Sequence, residues 1–383
     1  MVRARASQGR DSIAPNALPR RQATPGLVPV CRPWAPSAEA VAPYLERIDA
    51  TRWYSNFGPL VCEFEERLAQ RFTDRASVVT TANGTLALAI ALRARAPRNG
   101  LCIMPAWTFV ASAHAAELAG LAPCFADVDE EGGVLTPDLA RRAMRKLAEP
   151  VAAVMPVAPH GQPIDLAAWA EFEEETGTPV IVDAAAGFDA VSEAPVTVAV
   201  SLHATKALGI GEGGFIATRN ESAAIQMRAL SGFGFAGGAR DALSPAFNAK
   251  LSEYAAAVGL AALDDWPRTR ARYIRAARLM RAALASSRSV ALQAGWGASW
   301  VSAACVVRTS EGTDRLERRL AAAGIETRRW WERGAHRQPA FRNAPRADDL
   351  AVTDRLAATT VGLPFAVDLD ADAINRIAAA IGS

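Results

Sequence analysis

Residues 201–206 read Ser-Leu-His-Ala-Thr-Lys, and Gly-Ile-Gly-Glu-Gly-Gly follows at 209–214. Lys206 thus stands just past an apolar run, with Ser201 five residues upstream and a glycine-rich turn behind it. A lysine amine attacks carbonyl carbon, and hydroxyl and N–H donors bind phosphate. Pyridoxal 5′-phosphate (PLP) needs both. A surface lysine beside a loop would give the same local sequence, so the weight lies with the residues that accompany it. Gly209, Gly211 and Gly214 also fit the GxGxxG spacing. No strand–turn–helix unit with an acidic residue about 20 positions on goes with them, so a dinucleotide site is rejected.

Thr80-Thr-Ala-Asn-Gly-Thr85 follows an apolar run and opens a helical pattern. Backbone N–H groups there, with the Thr85 hydroxyl, can hold a phosphate at the positive end of a helix. An ordinary Asn-Gly turn with a threonine cap reads the same way. In Pro105-Ala-Trp-Thr-Phe109 the Phe109 ring could stack on a pyridine ring or fill the core. Val180-Ile-Val-Asp183 ends an apolar strand in a carboxylate. A buried carboxylate needs a partner. A pyridinium nitrogen would be one, and its retained proton lets the ring act as an electron sink. An N-cap or an ion pair would also satisfy Asp183, but the carboxyl end of a parallel strand is where such sheets bind ligands. Lys206 would then hold the cofactor as a Schiff base. Once freed, it would shuttle a proton between the substrate carbon and the cofactor. Asn248 and Lys250, just before a long helix, could reach a phosphate, in their own or another subunit, or cap the helix.

These residues need strand ends and helix starts to position them. Short apolar or β-branched runs occur at Ser77–Thr81, Leu101–Met104, Pro123–Val128, Val151–Val157, Val180–Asp183, Val196–Leu202 and Gly214–Thr218. Helical periodicity fills Thr85–Ala96, Val110–Ala119, Pro137–Leu147 and Leu166–Thr176 between them. The alternation predicts an α/β domain with a mainly parallel sheet flanked by helices. Continuous apolar runs suit strands buried on both faces. The last two runs lack a helix between them. A long helical stretch from Ser252 to Ala285 contains Pro267, a predicted break or kink. A smaller C-terminal α+β domain follows. Its strand is Val301–Arg308, its helices lie near Thr313–Ala323 and Asp370–Ile381, and Gly-Ile-Glu-Thr-Arg (324–328) joins them. The expected division is a disordered tail over 1–30, a large domain over 31–268 and a small one over 269–383.

The chain has 383 residues, half of them hydrophobic, and a net charge of +2. That length supports two domains. The charge gives no reason to expect nucleic acid or an anionic membrane as partner. No apolar run approaches the ~20 residues of a membrane span. Five scattered cysteines and four histidines make no metal-ligand spacing, which points to a reducing, cytoplasmic compartment and no metal site. The first thirty residues are Arg-rich and acid-poor, as targeting peptides are, yet show no clear amphipathic helix.

In order along the chain stand Trp53-Tyr-Ser-Asn-Phe-Gly-Pro59 with Phe64-Glu65, Asn83-Gly-Thr85, Pro105–Phe109 and Ala126-Asp-Val-Asp129. Gly161-Gln-Pro-Ile-Asp165, Asp183-Ala-Ala185, Ser201–Lys206 with Glu212-Gly-Gly214, Asn248 with Ala256-Ala-Val-Gly259, and Leu363-Pro364 follow. Together these blocks resemble the DegT/DnrJ/StrS family of nucleotide-sugar aminotransferases, which have the fold-type I PLP-dependent architecture. The resemblance implies a homodimer with active sites shared between subunits. It implies that Gly84, Thr85 and Ser201 bind the phosphate, with Asn248 from the partner chain. Phe109 would stack on the ring, Asp183 would pair with its nitrogen, and Lys206 would form the Schiff base. His336, in Ala335-His-Arg-Gln-Pro339, matches a family histidine near substrate. Trp53, Tyr54 and Arg328 are further candidates for contact with the sugar nucleotide, as are Asn56, Trp330 and Trp331. The implied reaction moves an amino group from L-glutamate to a keto-sugar nucleotide, giving an amino sugar for polysaccharide or natural-product biosynthesis.

Three positions depart from the family pattern. Ala186 stands where a Gln or His near the cofactor's ring hydroxyl is common, Ala158 replaces a histidine, with His160 two residues later, and Asn248-Ala-Lys250 replaces Asn-Tyr-Arg. Two other functions are compatible with the fold. A PLP-dependent sugar dehydratase would carry histidine in place of the lysine, which Lys206 argues against. A non-catalytic or regulatory PLP- or sugar-binding protein would tolerate Ala186 and Ala158.

Overall fold

The computed structural model describes residues 26–235 and 240–382. Seven strands form the central sheet: β1 (Ser77–Thr81), β2 (Leu101–Pro105), β3 (Ala122–Ala126), β4 (Val151–Val154), β5 (Ile181–Asp183), β6 (Thr197–Ser201) and β7 (Gly214–Thr218). β3-β2-β4 and β5-β6-β7-β1 are continuous ladders. The parallel bridges Val154–Val180 and Val157–Asp183 join them across β4 and β5. The order is therefore β3-β2-β4-β5-β6-β7-β1. Only β7 runs antiparallel to its neighbours, and that reversal explains the missing crossover helix: two antiparallel strands need only a loop. The loop 202–213 between β6 and β7 carries Lys206.

Helices connect the parallel strands and cover the sheet. Gly84–Arg95 starts where Asn83 Oδ1 accepts the Leu86 N–H at 2.9 Å. Its six consecutive residues Ala87–Leu92 are buried, so it is apolar all round rather than amphipathic. It packs against Val110–Ala119, whose alanines permit close approach. The expected strands and helices here agree with those observed to within a few residues.

The long helix Glu253–Leu284 starts at Ser252, whose Oγ accepts the Ala255 N–H at 3.1 Å. The predicted break at Pro267 does not occur, since the helix continues through it. Proline removes one backbone bond there. Burial of Trp266, Tyr273, Ala277 and Met280 on either side holds the helix together. This helix leads into an antiparallel sheet of order β10-β9-β8, formed by β8 (Val290–Leu292), β9 (Cys305–Thr309) and β10 (Thr360–Leu363). The strand expected over Val301–Arg308 begins only at Cys305, because Asp189 Oδ2 draws the Val301 N–H away at 3.1 Å. Helices Thr313–Ala322 and Ala371–Gly382 stand where the periodicity puts them, and Ala351–Thr359 is a further one.

Most of the tail expected over 1–30 lies outside the described residues. Residues 28–31 run along the C-terminal part of the chain, bridging Ile325 at Val28 and Phe365 at Cys31. Among the described residues no helix is long and apolar enough to cross a membrane. The described residues also hold no cluster of three metal-ligating side chains.

Candidate active site

The carboxyl ends of β5 and β6 and the start of helix Gly84–Arg95 meet at one place. A Cβ on Gly84 would lie 2.8 Å from Ser201 Cβ and 3.2 Å from Ser201 Oγ. A Cβ on Gly214 would lie 2.9 Å from the backbone of Asn83 and Gly84. Only glycines allow the helix start to approach β6 and β7 this closely. The N–H groups of a first helical turn have no intrahelical acceptor. Asn83 takes that of Leu86. Gly84 stands against Ser201, with Thr85 next to it in the first turn, at the positive end of a helix dipole. Ser201 Oγ also accepts the His203 N–H at 3.3 Å.

Asp183 ends β5 and is 5% exposed. Its Oδ2 accepts the Ser112 hydroxyl at 2.7 Å, and its Oδ1 accepts the Ala185 N–H at 3.0 Å. Ser112 Oγ is in turn 2.8 Å from Thr108 Oγ1. Burial pushes the carboxyl above its ordinary pKa, while Ser112, Ala185 and the charge of Lys206 oppose that rise. Phe109 caps the helix Val110–Ala119 that carries Ser112, and 55% of this large aromatic residue is exposed.

The Lys206 amine is pushed below its ordinary pKa by burial, with Asp183 and Cys31 opposing the shift electrostatically. A larger share of neutral amine at working pH makes it a better nucleophile. The other two lysines of the chain are engaged elsewhere. Lys146 Nζ is 2.5 Å from Asp348 Oδ1, and Lys250 Nζ donates to Asn248 Oδ1 at 2.6 Å.

Ser112 and Cys31 near Lys206 are absent from the sites expected from sequence, and His160 is expected there only as the histidine two residues after Ala158. Ser112 stands in the first turn of the helix Val110–Ala119, four residues after Thr108, which lies just ahead of the helix. Cys31 is brought in by the strap 28–31, and burial raises its thiol pKa while Arg328 and Lys206 lower it. His160 is 9% exposed and stacks on Trp331 with centroids 4.1 Å apart and planes at 25°. Trp107 meets its edge at 6.4 Å. Trp107 and Trp331 also meet each other, at 5.1 Å.

The remaining expected residues are more scattered. Arg328 reaches the site only through Cys31, and its guanidinium lies 5.2 Å from the centroid of the Trp330 ring. His336 is buried against Phe125, with Nε2 3.4 Å from Asp354 Oδ1. Trp53 and Tyr54 are half exposed. Trp53 Nε1 donates to Ser55 O at 2.6 Å, and Tyr54 stacks on Tyr254 at 6.2 Å. Among the described residues, no contact of His336, Trp53 or Tyr54 leads to Lys206. Asn248 is exposed and borders the cradle only through Ala249, whose carbonyl accepts the Ala82 N–H at 2.7 Å.

Known proteins resemble this chain over most of its length. A Bacillus cereus ATCC 10987 structure assigned as a PLP-dependent aminotransferase superposes with a TM-score of 0.86 at 28% identity, covering 93% of this chain and 100% of that one. DesI, solved in the presence of its TDP-sugar product, gives a TM-score of 0.82 at 31% identity, over 94% and 93% of the two chains. UDP-2-acetamido-2-deoxy-3-oxo-D-glucuronate aminotransferase of Pseudomonas aeruginosa is 30% identical over 85% of this chain and 90% of its own. The family model described as the DegT/DnrJ/EryC1/StrS aminotransferase family matches residues 37–382. With nearly the whole described chain inside that match, the protein belongs to the DegT/DnrJ/EryC1/StrS aminotransferase family.

Proposed function

We propose that this chain transfers an amino group from an amino acid, L-glutamate, to the carbonyl of a keto-sugar nucleotide, with PLP as cofactor. One observation carries the reading: the buried Asp183 ends β5, and the adjoining strand β6 ends at Ser201, against the cradle that a Cβ on Gly84 would close, and runs on into the loop that carries Lys206. The donor set fits PLP. Its phosphate suits the N–H and hydroxyl groups of Gly84, Thr85 and Ser201. A flat ring suits the uncovered Phe109, and a ring nitrogen suits Asp183, whose burial calls for a cationic partner.

When bound, PLP supplies a carbonyl handle and an electron sink on which an amino group passes between two substrates. The protein supplies the rest. Gly84, Thr85 and Ser201 would anchor the phosphate, and Phe109 would cover one ring face. Asp183, held by Ser112 and Ala185, would keep the ring nitrogen protonated. Lys206 would hold the cofactor, and its free amine would take the proton from the donor's α-carbon and deliver one to the sugar carbon that receives nitrogen.

Asn248 is exposed and lies on the segment that pairs with Gly232, near the exposed Phe233 and Phe235. We assign this surface to a second copy of the chain, whose Asn248 would reach the phosphate. Five free cysteines suit a reducing, cytoplasmic setting.

The test is a split reaction. PLP-loaded protein given L-glutamate alone should release about one 2-oxoglutarate per chain and stop, resuming only when a keto-sugar nucleotide is added. A protein that carries PLP on Lys206 yet releases no keto acid from any amino donor would overturn the transferase reading.

A further inference from the structure

PLP carries its phosphate arm and its ring hydroxyl on opposite edges, with the lysine-bound carbon between them. Sheet order decides which residues each edge meets. The cradle joins the start of helix Gly84–Arg95 to β6. Asp183 ends β5, the next strand along. Beyond it lies β4, whose carboxyl end runs into residues 158–161, and the Ala158 N–H donates to Asp183 O at 2.9 Å. A ring with its phosphate in the cradle and its nitrogen at Asp183 therefore turns its hydroxyl edge toward 158–161. His160 is the one polar side chain in Ala158-Pro-His-Gly161. The facing turn offers only methyl groups: a Cβ on Gly161 would lie 2.5 Å from the Ala186 carbonyl, and residues 184–186 are all alanine.

His160 is built into this position. Its backbone is left-handed, with φ 55°, an uncommon conformation for a residue with a side chain. The stack on Trp331 and the edge of Trp107 hold its ring. Its Nε2 is buried with no hydrogen-bond partner among the described residues, a condition that folded proteins rarely leave in place. Burial, with the positive charge of Lys206, pushes the imidazole down to about 3, so it is neutral and one nitrogen bears a proton to donate.

We propose that His160 hydrogen-bonds the ring hydroxyl of the cofactor and so sets the pH at which the Lys206-bound chromophore changes charge. This rests on the PLP reading above. A donor at that oxygen stabilises it as an anion, the form left without a neighbouring cation once the lysine-bound nitrogen loses its proton. Removing the donor therefore raises the midpoint. Lys206 faces this place from the loop after β6 and Asp183 from the end of β5, Cys31 faces it from the strap, and Arg328 stands behind Cys31. Trp107 and Trp331, which pack on His160, add no charge.

His160→Phe keeps an aromatic ring on Trp331 and removes the nitrogens. The visible band of the PLP-loaded variant should titrate about one pH unit higher than wild type, as loss of a hydrogen bond to a charged oxygen implies. Adding Ala186→Gln beside it should bring the midpoint back toward wild type, which a packing role for His160 would not do. An unmoved midpoint in His160→Phe overturns the proposal. Should that variant fail to fold, nitrogen NMR of the wild-type histidine rings decides, since the chain has only four. Loading with PLP should move the His160 signals, and loading with the O-methylated analogue, whose ring hydroxyl is blocked, should not. Identical response to both also overturns it. A protein with no Lys206-dependent band fails the PLP reading itself, a result distinct from an unmoved midpoint.

Discussion

Gly84→Ala sets two effects against each other. Alanine is the better helix former, by at most about 1 kcal/mol, and Gly84 opens the helix without a left-handed backbone. The added Cβ would lie 2.8 Å from Ser201 Cβ, however. Carbon atoms pack at about 3.5–4.0 Å, so the helix start or β6 must give by about 0.7 Å. Overpacking of that kind costs about 1–3 kcal/mol, and steric strain therefore wins. Urea unfolding of the cofactor-free variant should show a loss of about 0–2 kcal/mol. The larger effect falls on the ligand, because the methyl separates the Ser201 hydroxyl from the N–H groups of the helix start. Losing one hydrogen bond to a charged phosphate costs about 1.5–3 kcal/mol, or roughly ten- to a hundredfold in the PLP dissociation constant. Quenching of tryptophan fluorescence by PLP reads that constant. A value within about twofold of wild type would refute the assignment of this cradle to phosphate.

Ser112→Ala removes the hydroxyl that Asp183 Oδ2 accepts at 2.7 Å. Burial raises the folded-state pKa of Asp183, so this group favours folding at low pH, and that contribution fades as pH rises through the folded pKa. Without Ser112 the pKa rises further. The cofactor-free variant should lose about 1.5–3 kcal/mol at neutral pH and little once Asp183 is protonated; a loss independent of pH in urea titrations would count against the argument. Glu253 is 1% exposed and accepts the Leu60 and Val61 N–H groups at 2.8 and 3.0 Å. Glu253→Ala should cost about 3 kcal/mol in the same assay, and a cost below about 1 kcal/mol would show that the helix Pro59–Ala69 does not need this cap. Phe109→Ala should leave cofactor-free stability within about 0.5 kcal/mol, since the ring is exposed. PLP affinity should fall about three- to tenfold, measured by equilibrium dialysis; unchanged affinity would remove Phe109 from the ring site.

The candidate site is legible in the sequence where chemistry and local pattern coincide. Asp183 closes an apolar run, Lys206 follows another, and Asn83-Gly-Thr85 opens a helix, so short stretches of sequence carry both residue type and placement. What sequence hid depends on pairing across the chain. Nothing around Cys31 foretells that 28–31 will lie against Ile325 and Phe365 beside Lys206. His160 gains its place from Trp331, 171 positions along the chain. Pro267 misleads in the opposite sense, because a local rule for breaking helices gives way to burial on both sides. β8 and β10 are short edge strands of a small sheet, too brief for periodicity to mark.

Three lysines in the whole chain make one experiment unusually direct. Protein incubated with PLP is reduced with borohydride, which fixes any lysine-bound cofactor, and its peptides are weighed. One pyridoxyl group per chain should appear on Lys206, none on Lys146 or Lys250, and none at all in Lys206→Ala. Attachment elsewhere, or no attachment, would contradict the placement of the reaction at Lys206.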